Sequence, residues 1–351
     1  MMETRLQEIH ELAARIGRPV RLMEVCGTQT MAIFRSGLRR LLPPAVQLLS
    51  GPGCPVCVTP DSYYDQVLAL AALPDVTIAT FGDLMRVPSR RGSLESARAR
   101  GAQVQVVYSP LDALQLAVVH PDRRMVFLGI GFETTAPTTA WALAEAARHV
   151  PNFFVLCGHK TMPQALAALL HSGGARLDGL LCPGHVSVIT GTRIYEFIPR
   201  DFGLPCVVTG FEPADLLAGI ARLLRQIAEG RATVENEYQR CVTTAGNARA
   251  QALLAAVFEP CDADWRGLGR IPGSGLRIRN DYAERDAARW CPAVPEAAVD
   301  DLDGCRCGEV LRGASTPPQC PLFRHTCTPD TPRGACMVSS EGTCAAYYRY
   351  A

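Results

Sequence analysis

The sequence predicts an α/β protein with two Rossmann-like, parallel-sheet domains and a small cysteine-rich domain at its C-terminal end. Three observations carry that prediction. From Arg21 to about Arg225, short β-branched apolar runs alternate with helix-like stretches, the pattern of βαβ units that build parallel sheets. Each run ends in a Gly-rich or polar turn bearing Cys, His or an acidic residue. Beyond Cys291 the chain turns to Pro, Gly and Cys, and the last 47 residues hold six of its fifteen cysteines.

In chain order, residues 1–19 have the charged, amphipathic pattern of a helix. The strand candidates follow as RLMEVCGT, VQLLSGPGC, VTIATFGD, VQVVYSP, RMVFLGIGFET, NFFVLCGHK, GLLCPGH and PCVVTGFE. Helical stretches lie between them at Ser62–Leu73, Thr138–Val150, Met162–His171 and Ala214–Glu229, and another near Asn247–Phe258. Glu259–Arg289, with its turn-prone run GRIPGSG, reads as irregular. A chain of 351 residues exceeds the ~250–300 at which a single core stops growing. The division expected is 1–125 and 126–235 for the α/β domains and 236–351 for the third.

Lys+Arg 35 against Asp+Glu 34 gives a net charge of +1, which excludes a global field for nucleic acid or an anionic membrane. No apolar run approaches the ~20 residues of a membrane span. The N-terminal stretch lacks an apolar signal core, so a cytoplasmic protein is expected. In that compartment fifteen cysteines point to metal binding or thiol chemistry before disulfide scaffolding.

Ligands of open parallel sheets bind beyond the carboxyl ends of the strands. Here those ends carry Cys26, Cys54, Cys57, Asp83, Glu133, His159, His185 and Glu212. Cys54 and Cys57 form a C-x2-C in a Gly/Pro turn, suited to reversible disulfide chemistry and equally to half a metal site. Cys26 is either a reactive thiol or a small buried hydrophobe. Cys157, Cys182, Cys206 and Cys241 fit the buried reading. GIGFETTAPTTA opens a helix, where Thr134, Thr135 and Thr138 serve as caps or border an anion site and Glu133 bonds a backbone group. In the tail, Cys305, Cys307, Cys320, Cys327, Cys336 and Cys344 have only one close pair, unlike the two short knuckles usual for zinc. A four-thiolate [4Fe–4S] cluster plus a dithiol accounts for all six, ahead of zinc and of disulfide staples.

MEVCGTQT, GPGCPVCVTP, TFGDLMRVP, GFETTAP, CPGHVSVITG and CRCGEVLRG…PPQCPLFRHTCTP…GACMVSSEGTCAAYY together resemble the HypD family of hydrogenase maturation factors. The resemblance runs from about residue 20 to the end. It implies two α/β domains plus an iron–sulfur domain, and a scaffold on which iron gains cyanide and carbon monoxide. It implies a HypC-type chaperone as partner, cyanide supplied through HypE, and delivery to the large subunit of a [NiFe] hydrogenase. The family's essential cysteines fall on Cys26, Cys54 and Cys57. Its cluster spacing, C-x14-C-x6-C-x16-C, falls on Cys305, Cys320, Cys327 and Cys344. That leaves Cys307 and Cys336 as a redox pair, similar to the arrangement in ferredoxin–thioredoxin reductase. Asp83, His185 and Glu341 also fall inside family motifs. Gln29 stands where the family usually has histidine, so this position is expected to offer only a weak hydrogen bond to a ligand. On this reading Cys26 is a low-pKa iron anchor and the C-x2-C a dithiol beside it. The reading from another class is a cluster-fed thiol–disulfide reductase, which would need the cluster and dithiol but neither Cys26 nor the GFETTAP loop.

Overall fold

The computed structural model describes residues 2–173, 176–294 and 304–351. Its strands are β1 (Val20–Glu24), β2 (Val46–Ser50), β3 (Val76–Thr80), β4 (Gln103–Val106), β5 (Arg124–Gly129), β6 (Phe153–Cys157), β7 (Gly179–Pro183), β8 (Cys206–Thr209), β9 (Val234–Asn236), β10 (Phe258–Trp265) and β11 (Gly269–Ile278). The eight apolar runs are β1–β8. The sequence Val-Glu-Asn of β9 is too short to carry a periodic signal.

The strands make two wholly parallel sheets, ordered β2-β1-β7-β8-β9 and β4-β3-β5-β6, plus the antiparallel hairpin β10–β11. Every residue of β3 and β7 is buried, as expected of parallel strands covered on both faces. Helices Met2–Ile16 and Pro213–Ala228 close one face of the first sheet through Ile9, Leu22, Leu181 and Leu217. Helices Pro110–Val119 and Ala136–His149 close one face of the second through Ala113, Phe127 and Leu143.

The sheets are not contiguous halves of the chain. The first takes β1 and β2 from the N-terminal part and β7–β9 from residues 179–236, while residues 76–157 supply the second. The expected boundary at 125/126 therefore falls inside β5. CPGHV belongs with CGTQT in one sheet, and GFETTAP belongs with TFGD in the other. Apolar runs identify strands but do not reveal which neighbour each one pairs with.

Residues 258–278 are also more regular than expected. GRIPGSG lies within β11, where pairing with β10 and a bridge from Lys160 to Gly275 override its turn-forming composition. The end of the chain docks on the first sheet, since helix Thr343–Tyr350 packs on helix Gly27–Arg35. The rings of Phe34 and Tyr347 lie 4.6 Å apart, and Arg39 donates to the Tyr347 hydroxyl at 3.0 Å and pairs with buried Glu24 at 3.3 Å.

Strand order fixes where a ligand would sit. In the first sheet the direction of winding reverses between β1 and β7, and in the second between β3 and β5. Such switch points open a crevice at the strand ends.

Candidate functional site

The two switch points share one crevice. A cavity of about 420 Å³ is bordered by Cys26 and Thr28 after β1, Asp83 after β3, Gly131, Phe132, Thr134 and Thr135 after β5 and His185 after β7. Ser339, Ser340 and Glu341 from the C-terminal region border it as well. Residues from four strand ends and the tail thus converge on a single space.

Cys26 precedes helix Gly27–Arg35 without spending its side chain on a cap. It is packed tightly from both sides. A Cβ on Gly53 would lie 2.2 Å from the Cys26 nitrogen, and one on Gly27 would lie 2.5 Å from the Glu341 Cβ. Only glycine permits these approaches. Burial, and then the Glu341 carboxylate, push the Cys26 thiol up to about 12. The expectation of a low-pKa thiol is corrected: with no cation beside it, Cys26 rests protonated.

The tail loop is fastened over this thiol. Asp83 Oδ2 accepts from the Ser340 amide at 2.8 Å, the Ser340 hydroxyl at 2.7 Å and the Ser339 hydroxyl at 3.3 Å. Thr28 donates to Glu341 Oε1 at 2.5 Å. Burial, and then Asp83, raise the Glu341 pKa. His185 stacks on Phe211 with ring centroids 3.9 Å apart, and its desolvation lowers the imidazole pKa.

Several sequence expectations are corrected here. Gln29 does not border the cavity. It is fully buried, and its Nε2 donates to the Cys182 carbonyl at 3.0 Å and to Thr209 Oγ1 at 2.7 Å, tying the Cys26 helix to the ends of β7 and β8. Glu133 bonds a backbone group as expected, accepting from the Met162 amide at 3.0 Å, but it and His159, which faces the Thr139 hydroxyl at 3.2 Å, are buried and do not border the cavity. Glu212 serves as the N-cap of helix Pro213–Ala228. Thr135 is an N-cap without a capping side-chain bond, and it borders the cavity with Thr134. Cys182 and Cys206 are buried as expected, Cys157 is half-buried, and Cys241 is exposed.

Cys54 and Cys57, one turn apart in helix Pro55–Val58 and its N-cap, are joined in a disulfide with Cα atoms 5.3 Å apart. The Ser339 hydroxyl lies 3.3 Å from Cys54 Sγ, so the loop over Cys26 also touches this pair. Three residues earlier, Cys336 Sγ lies 3.0 Å from Cys307 Sγ, both buried. The Cys336 contact, and more weakly the Arg266 guanidinium, lower the Cys307 pKa.

Cys305, Cys320, Cys327 and Cys344 border one small enclosed space together with Cys307 and Cys336, walled by Val310, Leu322, Phe323 and Met337. Burial and neighbouring thiols push Cys305 up to about 12 and raise Cys327. Crowded thiols of this kind ionise when a bound cation offsets their mutual repulsion, so a set of buried thiols like this one fits an iron–sulfur cluster. Among the described residues no group of three or more His, Cys, Asp or Glu side chains is set to hold a single metal ion. Sequence reasoning missed Ser339 and Ser340, although both lie in the tail motif beside Glu341. It also missed Tyr108 at the cavity's exposed edge, whose loop carries no motif.

Comparison with known proteins gives one answer over the whole chain. The family model HypD, described as "Hydrogenase formation hypA family", matches residues 1–351. The chain is 49% identical to the hydrogenase maturation factor HypD of Rhodobacter capsulatus over 354 aligned positions, covering 98% of this chain and 94% of that protein. It is likewise 49% identical to HypD of Escherichia coli (strain K12), covering 98% and 94%, and 48% identical to that of Azotobacter vinelandii, covering 97% and 93%.

Proposed function

From the chain's membership of the HypD family of hydrogenase maturation factors, we propose that the crevice between the two switch points is where iron is held while it acquires cyanide and carbon monoxide. A HypC-type chaperone lends a ligand to the open side, HypE supplies cyanide, and the finished Fe(CN)2CO unit passes on to the hydrogenase large subunit. The observation that carries this reading is the convergence of Cys26, Asp83, His185 and Glu341 on one cavity, with a disulfide and a second thiol pair directly behind it.

In this reading iron is the substrate and Cys26 its thiolate anchor. The buried thiol loses its proton as iron arrives, and Glu341, already raised in pKa, is the nearest carboxyl able to accept it. Asp83 acts through Ser339 and Ser340, keeping the tail loop closed over the site. Cys305, Cys320, Cys327 and Cys344 would hold a [4Fe–4S] cluster, which would supply single electrons when bound. Cys307 and Cys336 pass reducing equivalents to Cys54 and Cys57, whose contact with Ser339 brings them to the wall of the iron site. A cluster-fed thiol–disulfide reductase that assembles no Fe(CN)2CO unit is the second reading, favoured by the 3.0 Å contact of Cys307 and Cys336. Cytoplasmic action fits both readings.

The deciding experiment is anaerobic co-purification with the chaperone, followed by infrared spectroscopy. Cyanide and carbonyl stretches that vanish in Cys26→Ala support the scaffold. Their absence from the wild-type complex, with thiol reduction intact, selects the reductase.

A further inference from the structure

We propose, resting on the relay just described, that the turn Trp265–Arg266–Gly267 at the tip of β10–β11 is a positioning element that sets the spacing between the Cys54–Cys57 and Cys307–Cys336 pairs. Arg266 is its central residue. The turn lies in neither cysteine motif, and the maturation chemistry gives it no role.

Arg266 is 4% exposed although it is an arginine in a hairpin turn. Its amide donates to the Val58 carbonyl at 2.8 Å, and its guanidinium reaches the Thr59 carbonyl at 3.0 and 3.1 Å and Asp61 Oδ1 at 2.6 Å. All these acceptors lie within four residues of Cys57. The next residue faces the other pair. Gly267, at φ +79°, packs on Gly308, the neighbour of Cys307, so closely that a Cβ there would lie 2.4 Å from the Gly308 Cα. Arg312, from the helix that begins at Cys307, donates to the Gly267 carbonyl. One three-residue turn therefore touches the backbone beside both pairs.

The turn is braced from behind by the chain's only lysine. Lys160, Gly275 and Cys261 stand in one cross-strand row. Lys160 reaches past β11 and donates to the Asp264 carbonyl at 2.6 Å. Its ammonium lies 5.4 Å from the Trp265 ring, which stacks on Phe132 in the cavity wall at 5.8 Å and 16°. The slender ammonium can pass where a planar guanidinium is bulkier. The turn is thus registered against the iron cavity as well.

The step it positions is a balanced exchange. The Cys54–Cys57 S–S bond breaks as a Cys307–Cys336 S–S bond forms, and two electrons and two protons pass to the first pair, with no outside oxidant. Exchange requires in-line approach of thiolate and disulfide, so a shift of the turn alters its rate.

The test uses the full-length chain with its cluster, purified anaerobically and partly reduced with dithiothreitol. Acid quenching, alkylation and mass spectrometry report how fast the two pairs reach a common redox state. Arg266→Met combined with Asp61→Asn removes the ion pair without leaving a buried charge, and Gly267→Ala forces the turn away from Gly308. Each should slow equilibration at least tenfold while the cluster's visible spectrum stays unchanged, and Arg266→Lys should recover part of the rate. Arg312→Ala, a milder change at the helix side, should show the same slowing should either variant fail to fold. Rates within twofold of wild type in the folded variants would overturn the proposal. Absence of exchange in wild type itself would instead overturn the relay on which it rests.

Discussion

Glu133, in the GFETTAP loop, and His159, in the loop after β6, are both buried, and their burial predicts opposing responses to pH that one substitution can separate. Glu133 is 5% exposed, keeps Oε1 on the Met162 amide and has no partner for Oε2. Burial moves its pKa from 4.5 to about 7. The folded state therefore binds a proton that the unfolded state has released between pH 4.5 and 7, so stability falls as pH rises through that window. At 1.36 kcal/mol per pKa unit the loss is about 3 kcal/mol. His159, 2% exposed, is pushed by burial from 6.5 to about 4. Here the unfolded state binds the extra proton, so stability rises between pH 4 and 6.5, by a similar amount.

The two slopes nearly cancel between pH 4.5 and 6.5 in the wild type. Glu133→Gln retains an acceptor for the Met162 amide and cannot ionise, so it removes this carboxyl's slope and leaves that of the histidine in place. The variant should match wild type near pH 4.5 and exceed it by up to about 3 kcal/mol at pH 8. Urea unfolding over a pH series, followed through the fluorescence of buried Trp265 stacked beside this loop, measures the difference. A variant-minus-wild-type difference that stays constant from pH 4.5 to 8 would refute the assignment of a neutral, buried carboxyl.

Other substitutions separate the roles of the cysteines and of Gln29. Cys320→Ala should remove the brown chromophore and loosen residues 304–351 in hydrogen exchange; retention of full iron and sulfide would contradict the ligand assignment. Cys26→Ala should abolish the cyanide and carbonyl infrared bands while sparing the tail cluster, whereas Cys54→Ala and Cys57→Ala should block maturation yet still hold some iron with the chaperone; the reverse pattern would exchange their roles. Gln29→Ala removes bonds to Cys182 and Thr209, so it should cost about 1–3 kcal/mol in urea unfolding without emptying the iron site. Complete loss of iron in that folded variant would make the amide a ligand after all.

Local chemistry was legible in the sequence, and long-range assembly was not. β1–β8 could be read because buried parallel strands are short, continuous apolar runs, and the Cys54–Cys57 pairing follows from a three-residue spacing across a turn. The partition of strands between sheets is a long-range choice: β1 pairs with β7 across more than 150 residues of chain, and nothing in VRLME or GLLCP encodes that partner. The same limit explains Gln29. As a residue type it offers the same donors whether it faces a ligand or a carbonyl, and only the return of β7 and β8 beneath its helix decides between them.

The tail shows why this limit bears on function. Cysteine content marks out a distinct C-terminal region, but spacing cannot say that the loop between Cys336 and Cys344 lies over Cys26 some three hundred residues away. That contact depends on paired small features: Gly27 leaves room for Glu341, Thr28 meets its carboxylate, and Asp83 receives Ser339 and Ser340. Each is a commonplace residue alone. Together they make the crevice incomplete without the cysteine-rich segment, and the loop that follows Cys336 reaches Cys54 through Ser339 and Cys26 through Glu341. On the proposed function, a change of oxidation state at Cys307 and Cys336 would therefore govern access to iron without either thiol touching it.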